Sequence, residues 1–273
     1  MISGLNEAAA VTPDLLRLRT VMVNAYYLGT GDDWYLIDAG MPGSARAIVD
    51  AAKENLGTAS PPRAILMTHG HFDHVGAFPE ILETWDVPVY AHPLEMPFLT
   101  GERDYPPPDP TVGKGALALI SFLYPSKAID LGTHVRPFPE DGTLPGLPEW
   151  RWIPTPGHSA GHTSFFRDRD RLLIAGDAFV TTQQESIYNV ITQAQRVSGP
   201  PAYFTPDWPA AKHSVETLAA LDPAIAATGH GVPMSGDELR QGLHELVLHF
   251  DSNAVPDHGR YVEAEEGESA RSV

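Results

Sequence analysis

Short apolar runs, most of them closed by glycine or a small polar residue, recur along the chain and set its predicted strands. Residues 34–37 (Trp, Tyr, Leu, Ile), 64–67 (Ala, Ile, Leu, Met), 88–91 (Pro, Val, Tyr, Ala), 172–176 (Leu, Leu, Ile, Ala, Gly) and 225–229 (Ile, Ala, Ala, Thr, Gly) are of this kind. So is the stretch 152–157, Trp-Ile-Pro-Thr-Pro-Gly. Runs of this length between turn signals predict buried strands. A different period follows the second run. Val75, Phe78, Ile81, Leu82 and Trp85 fall at helical intervals, which predicts an amphipathic helix starting just after residue 74. Residues 97–110 hold too many prolines for regular structure. Residues 116–124 are apolar on nearly every side and too short to cross a bilayer, so they predict either a core helix or a lid over a pocket.

The candidate chemistry sits where the strand runs end. Thr68, His69, Gly70, His71, Phe72, Asp73 and His74 place three imidazoles and a carboxylate within six residues. Close-packed imidazoles without a metal would leave buried polar groups unpaired. Residues two apart in an extended loop project to the same side, so His69 and His71 can share one ion. Asp73 and His74, at the predicted helix start, point elsewhere and suit a second, adjacent ion. A single loop supplies too few ligands, because zinc takes four and a catalytic ion keeps one position for water. Three later runs end on a further candidate beside glycine: His158, Asp177 and His230. Glycine permits the sharp turn and close approach that such a position needs.

In order and context these residues resemble the metallo-β-lactamase superfamily, whose members carry His-x-His-x-Asp-His followed by a His, an Asp and a His. The resemblance covers roughly residues 20–250. It implies an α/β fold, a four-layer αβ/βα sandwich of two mixed sheets with the metals at one edge. It also implies that His69, His71 and His158 hold one ion, Asp73, His74 and His230 hold a second, and Asp177 bridges them. The expected reaction is hydrolysis of an ester, thioester or lactone by a hydroxide formed between the two ions, with Asp73 orienting it and passing a proton to the leaving group. The complete ligand set looks like the glyoxalase II and lactonase branch. The chain departs from both: Ala178, Phe179, Val180 and Thr181 stand where those lactonases have a Tyr, and Thr181, Thr182, Gln183 and Gln184 where glyoxalase II has a Gly- and Arg-bearing segment. Asp38 and His162 resemble supporting positions that hydrogen-bond near the metals without holding them. A mononuclear iron persulfide dioxygenase and a non-catalytic metal-binding protein are the alternatives.

Composition narrows the function classes. With 273 residues, residues 1–255 are expected to form one domain carrying a lid or pocket insertion near 97–125, with an acidic tail over 256–273. The formal net charge of −17 and the lack of a basic cluster argue for a small-molecule substrate and against nucleic acid. There is no cysteine, so the metal donors are nitrogen and oxygen only, which suits two divalent ions such as zinc, manganese or iron. Residues 1–20 lack a basic stretch followed by an apolar one, so export is not expected and the cytoplasm is. No membrane association is expected. Residues 180–203, just after Asp177, are a second candidate for substrate contacts and include Tyr188 and Arg196. His134, His213, His244, His249 and His258 carry the ordinary structural expectation.

Overall fold

In the computed structural model, which describes residues 6–112 and 115–262, the apolar runs become strands of two sheets. The first sheet takes β1 (Ala8–Thr12), β2 (Leu15–Thr20), β3 (Val23–Thr30), β4 (Asp33–Ile37), β5 (Ile65–Leu66), β6 (Val89–Ala91) and β7 (Val135–Pro137), in that spatial order. Its first four strands pair antiparallel and β4 to β7 pair parallel. The second sheet takes β8 (Thr143–Leu144), β9 (Leu147–Pro154), β10 (Thr163–Arg167), β11 (Leu172–Gly176), β12 (Ile225–Thr228) and β13 (Met234–Ser235). Only its β11–β12 pair is parallel.

Three apolar cores define the layers. Successive side chains of a strand point to opposite faces, and here both faces are buried. In β4, Trp34 and Leu36 join a core shared with the helices Ala45–Leu56 and Phe78–Thr84, whereas Tyr35 and Ile37 join a core between the sheets. In β11, Leu172 and Ile174 enter that same central core, while Leu173 and Ala175 pack with the helices Trp208–Ala220 and Gly236–Leu248. Helix, sheet, sheet and helix therefore stack in the expected αβ/βα order. Double-sided burial is also why these strands read as continuous apolar runs and not as alternating ones.

Two local expectations need correction. The single helix expected after residue 74 is two short ones, Phe72–Val75 and Phe78–Thr84. Proline at position 79 lacks an N–H and its ring would clash with the carbonyl of residue 75, so one helix cannot run through both. Asp73 and His74 thus lie inside the first short helix. Residues 116–124 are neither purely core nor purely cover. Their one-turn helix, Ala116–Leu119, buries Leu117 and Ala118, while Phe122 and Leu123 stand about two-thirds exposed, at 64% and 67%.

The first part of the expected tail packs back onto the body. The Arg260 N–H donates to the Asp109 carboxylate and the Tyr261 hydroxyl donates to the Pro107 carbonyl oxygen at 2.7 Å. The acidic stretch 263–273 lies outside the described residues. Among the described residues no helix is long and apolar enough to cross a membrane.

Antiparallel β10 lies between β9 and β11, so those two strands run the same way, and β12 runs parallel to β11. The loops that follow β9, β11 and β12 consequently emerge at one edge of the second sheet. Thr163 reaches across from that edge, its N–H donating to the carbonyl oxygen of Thr68 at 2.9 Å, which brings the loop after β5 to the same place.

Candidate metal centre

All seven expected site residues meet there. His69, His71 and His158 offer ligand atoms within 4.8 Å of one another, and so do Asp73, His74 and His230. A third group within the same distance, His69, His74 and Asp177, spans the two. The Asp177 Oδ2 atom lies 3.5 Å from His158 Nε2, 3.5 Å from His74 Nε2 and 3.1 Å from His230 Nε2. One carboxylate oxygen therefore touches nitrogens of both triads.

Hydrogen bonds behind the ligands decide which nitrogen each imidazole presents. His74 Nδ1–H donates to Asp38 Oδ2 at 2.8 Å, and His230 Nδ1–H donates to the Met22 carbonyl oxygen at 2.8 Å. Thr68 gives its hydroxyl proton to Asp38 at 2.7 Å, so it accepts from His69 Nδ1–H at 3.0 Å. Thr205 likewise gives its proton to the Pro201 carbonyl oxygen and accepts from His158 Nδ1–H at 3.1 Å. In its neutral form each of the four rings has an Nε2 lone pair directed at the cluster. His71 instead brings Nδ1 to within 3.0 Å of His158 Nε2. Outer partners of this kind orient metal-binding imidazoles and strengthen them as donors.

The electrostatics are those of a crowded buried cluster. Burial, reinforced by the neighbouring imidazoles, holds His69 and His158 well below the ordinary histidine range and brings His71 down to about 3. Burial also disfavours a charged His74, but the carboxylates of Asp177, Asp38 and Asp73 outweigh it and hold that ring well above the ordinary range. Asp177 is the counterpart: burial would raise it, yet His230 and His74 keep it ionised well below the usual carboxylate range. Burial raises Asp73.

A cation fits this donor set. His69 Nε2, His74 Nε2 and Asp177 Oδ1 are buried without a hydrogen-bond partner, which is costly for polar atoms unless another ligand satisfies them. The donors are imidazole nitrogens and carboxylate oxygens alone, a set that divalent zinc, manganese and iron all accept. Backbone approach is equally tight. A Cβ on Gly229 would sit 2.0 Å from Asp177 Oδ1, so only glycine lets β12 deliver His230 past the carboxylate.

Asp38 and His162 both hydrogen-bond to expected ligands. Asp38 accepts from the Thr68 N–H, the Thr68 hydroxyl and His74 Nδ1. His162 Nε2 accepts the Asp177 N–H at 2.9 Å, so its Nδ1–H donates to Thr155 Oγ1 at 2.8 Å and both ring nitrogens are in use. Asp38→Asn is expected to bind metal about 10- to 100-fold more weakly, because an amide cannot accept all three donors. Competition with a chromophoric chelator measures this; an affinity within twofold of the parent would remove Asp38 from the site.

A further buried carboxylate was not expected from the sequence. Glu95 is fully buried, and each of its oxygens takes one backbone and one hydroxyl donor. Oε2 accepts from the Gly70 N–H at 3.0 Å and from the Tyr105 hydroxyl, and Oε1 from the Ser159 hydroxyl at 2.7 Å and the Gly161 N–H at 2.8 Å. It clamps the His69–His71 loop to the His158 loop. No local signal marks it, since a Glu in a short turn between two prolines is ordinarily exposed.

The two expected specificity regions differ in reach. From residues 97–124, Phe98, Tyr105 and Pro106 line a cavity of about 320 Å³ that also contacts His71 and His158, whereas Phe122 projects into solvent. From residues 180–203, Gln183, Glu185, Ser186 and Arg196 line a separate groove with residues 252–258, and Tyr188 is 73% exposed. That region reaches the site edge through Thr181, whose N–H and hydroxyl both donate to the His230 carbonyl oxygen at 3.2 Å, and through the buried Tyr203, whose hydroxyl is pushed up by burial and by the charge of Asp73. His134 bonds Asp86, and His213, His244, His249 and His258 lie on the surface, all outside the cluster.

Comparison with known proteins agrees with this geometry. Residues 18–230 match the Metallo-beta-lactamase superfamily. A Bacillus subtilis (strain 168) protein named probable metallo-hydrolase YflN is 49% identical over 238 residues, which are 86% of this chain and 90% of that protein. The solved structure of TTHA1623 in a di-iron-bound form superposes with a TM-score of 0.56 at 29% identity, covering 80% of this chain and 92% of that one. The B3 metallo-beta-lactamase BLEG-1 superposes with a TM-score of 0.57 at 24% identity, covering 86% and 96%, a likeness of fold alone.

Proposed function

The chain belongs to the metallo-beta-lactamase superfamily, and from that membership we propose that it is a metal-dependent hydrolase that binds two divalent ions and cleaves an ester, thioester or lactone. His69, His71 and His158 would hold one ion and Asp73, His74 and His230 the other, with Asp177 shared. The observation that carries this reading is the position of Asp177 Oδ2, within 3.5 Å of nitrogens from both triads. Zinc, manganese and iron all suit the donors, and the di-iron form of TTHA1623 makes iron as relevant a candidate as zinc. When bound, such a pair of ions would lower the pKa of a water and polarise a carbonyl oxygen.

The protein's own groups do the rest. Asp73 is the most accessible of the seven, at 7%, and its carboxylate is the one that can take a proton from the attacking water and pass it to the leaving group. Asp38, His162 and Glu95 hold the donors in place. Ser159 is adjacent to His158, but its hydroxyl proton is committed to Glu95 Oε1 and the chain has no cysteine, which favours water as the nucleophile. The strongly acidic surface and the small cavity support a small-molecule substrate over nucleic acid.

Elemental analysis of protein purified without chelators should find close to two ions per chain. A panel of activated esters, thioesters and lactones should then contain at least one substrate, with activity lost on chelation and in His71→Ala. Activity that survives both would place the reaction elsewhere. A single tightly held iron that persists in His230→Ala, with no acyl hydrolysis, would favour the persulfide dioxygenase reading instead.

A further inference from the structure

The cavity beside His71 and His158 carries more information than its location. Its volume of about 320 Å³ is near the lower end of the roughly 300–1,000 Å³ typical of small-molecule sites. At roughly 30 Å³ per water-sized group, it has room for on the order of ten non-hydrogen atoms. Apart from the two imidazoles, its wall is mostly aromatic rings, prolines and alanines, including Phe98, Phe204 and Ala210. Phe98 stacks on Tyr105 and Phe204 stacks on His71, with ring centroids 4.1 and 4.5 Å apart, so the wall is a packed surface.

The polar groups around it are already committed. The Tyr105 and Ser159 hydroxyls donate to Glu95, and the Tyr261 hydroxyl donates to the Pro107 carbonyl oxygen. No lysine or arginine is among the lining residues. Arg260, next to Tyr261, is turned to the Pro107 carbonyl oxygen at 3.2 Å. The one formal charge besides the metal-site imidazoles is Asp207, which caps the helix Trp208–Ala220 by accepting the Ala210 N–H. Away from the metal ligands, a carboxylate or phosphate in the cavity would face Asp207 with no lysine or arginine among the lining residues.

Resting on the hydrolase reading above, we propose that this cavity receives an uncharged apolar group of the substrate, of about ten non-hydrogen atoms at most, and that Tyr261 of the C-terminal strap forms part of its wall. The strap reaches the cavity because Asp109 holds the Arg260 N–H and Pro107 holds Tyr261. Burial of each methylene strengthens transition-state binding by about fourfold. The selectivity of the site is thus one of length and charge.

Two substrate series test this on the metal-loaded protein, p-nitrophenyl esters lengthened on the acyl side and acetyl thioesters of alkanethiols lengthened on the leaving side. In one series kcat/KM should climb about fourfold per methylene until the group fills the cavity, at no more than about ten non-hydrogen atoms, and the series that climbs identifies which side enters. A hemisuccinate ester should run at least roughly tenfold below its uncharged counterpart of equal length. Ala210→Phe, which fills the cavity, should reduce the hexanoyl-to-acetyl ratio at least roughly tenfold. Tyr261→Ala, which widens it, should move the optimum to longer chains. Both variants should keep two ions. Flat series, or variants that change all lengths equally, overturn the proposal.

Saturable binding of 1-hexanol, followed by NMR shifts of the Ala210 methyl and the Tyr261 ring, separates the two readings. Hexanol binding that is weakened in Ala210→Phe, without hydrolysis of any ester, upholds the cavity and sinks the hydrolase reading. Hydrolysis that ignores chain length, with no hexanol binding, does the reverse.

Discussion

Asp177→Ala is expected to hold clearly fewer than two ions per chain and to lose activity by on the order of 10³-fold or more, the scale of several kcal/mol of charge stabilisation. The physical reason is its position between the triads. Its Oδ2 lies against His158 on one side and His74 and His230 on the other, and nothing else among the described carboxylates reaches both. Removing it takes away the negative charge that would offset two closely spaced cations. Asp177→Asn keeps the volume but not the charge, and should fall between the parent and the alanine variant. Inductively coupled plasma analysis together with kcat/KM on the substrate found decides the matter. Two ions retained at full affinity in the alanine variant would show that the carboxylate is not shared.

Glu95→Ala should be nearly as damaging although Glu95 reaches no expected ligand directly. It leaves the Gly70 and Gly161 N–H groups and the Ser159 and Tyr105 hydroxyls without their acceptor in a buried place. Each buried donor left unsatisfied costs about 1–3 kcal/mol. Water can reach a cavity of that size and recover part of this, so a net loss of about 3 kcal/mol or more in stability is expected. Metal affinity should fall about 10- to 100-fold, since two ligand loops lose their common anchor. Glu95→Gln discriminates further. Hydroxyls can turn to accept from the new amide, but a backbone N–H cannot, and each carboxylate oxygen takes one of each. The glutamine variant should therefore still be impaired in metal binding while recovering much of the stability. Urea unfolding and chelator competition measure the two effects separately; a purely structural role would move stability and leave affinity of the folded protein unchanged.

Much of the site was legible in the sequence because it is written in local chemistry. The density of imidazoles at residues 69–74 and the glycine-flanked His158, Asp177 and His230 have no other ready use. The strands were legible for a similar reason: a strand covered on both faces must be apolar at every position, as residues 172–176 are. The helix break at residues 76–77 could also have been read locally, from the proline at 79, but the apolar period over residues 75–85 spoke for continuity.

Other features depended on residues that meet only in the folded chain. Glu95 draws its donors from positions 25, 64 and 66 residues away as well as from nearby Tyr105, so nothing in its own neighbourhood predicts that it is buried. The ring nitrogen that His158 or His230 presents is set by Thr205 and by the Met22 carbonyl oxygen, 47 and 208 residues distant. Tyr261 follows an expected tail and yet forms part of the cavity wall, because Pro107 and Asp109 hold its segment there. The sequence by itself determined the kinds of donor and the strands that carry them, since residue type and backbone period are local properties. Only the tertiary structure decided which polar groups are satisfied and what shape surrounds them, because burial and hydrogen bonding are settled by partners that the chain brings together from far apart.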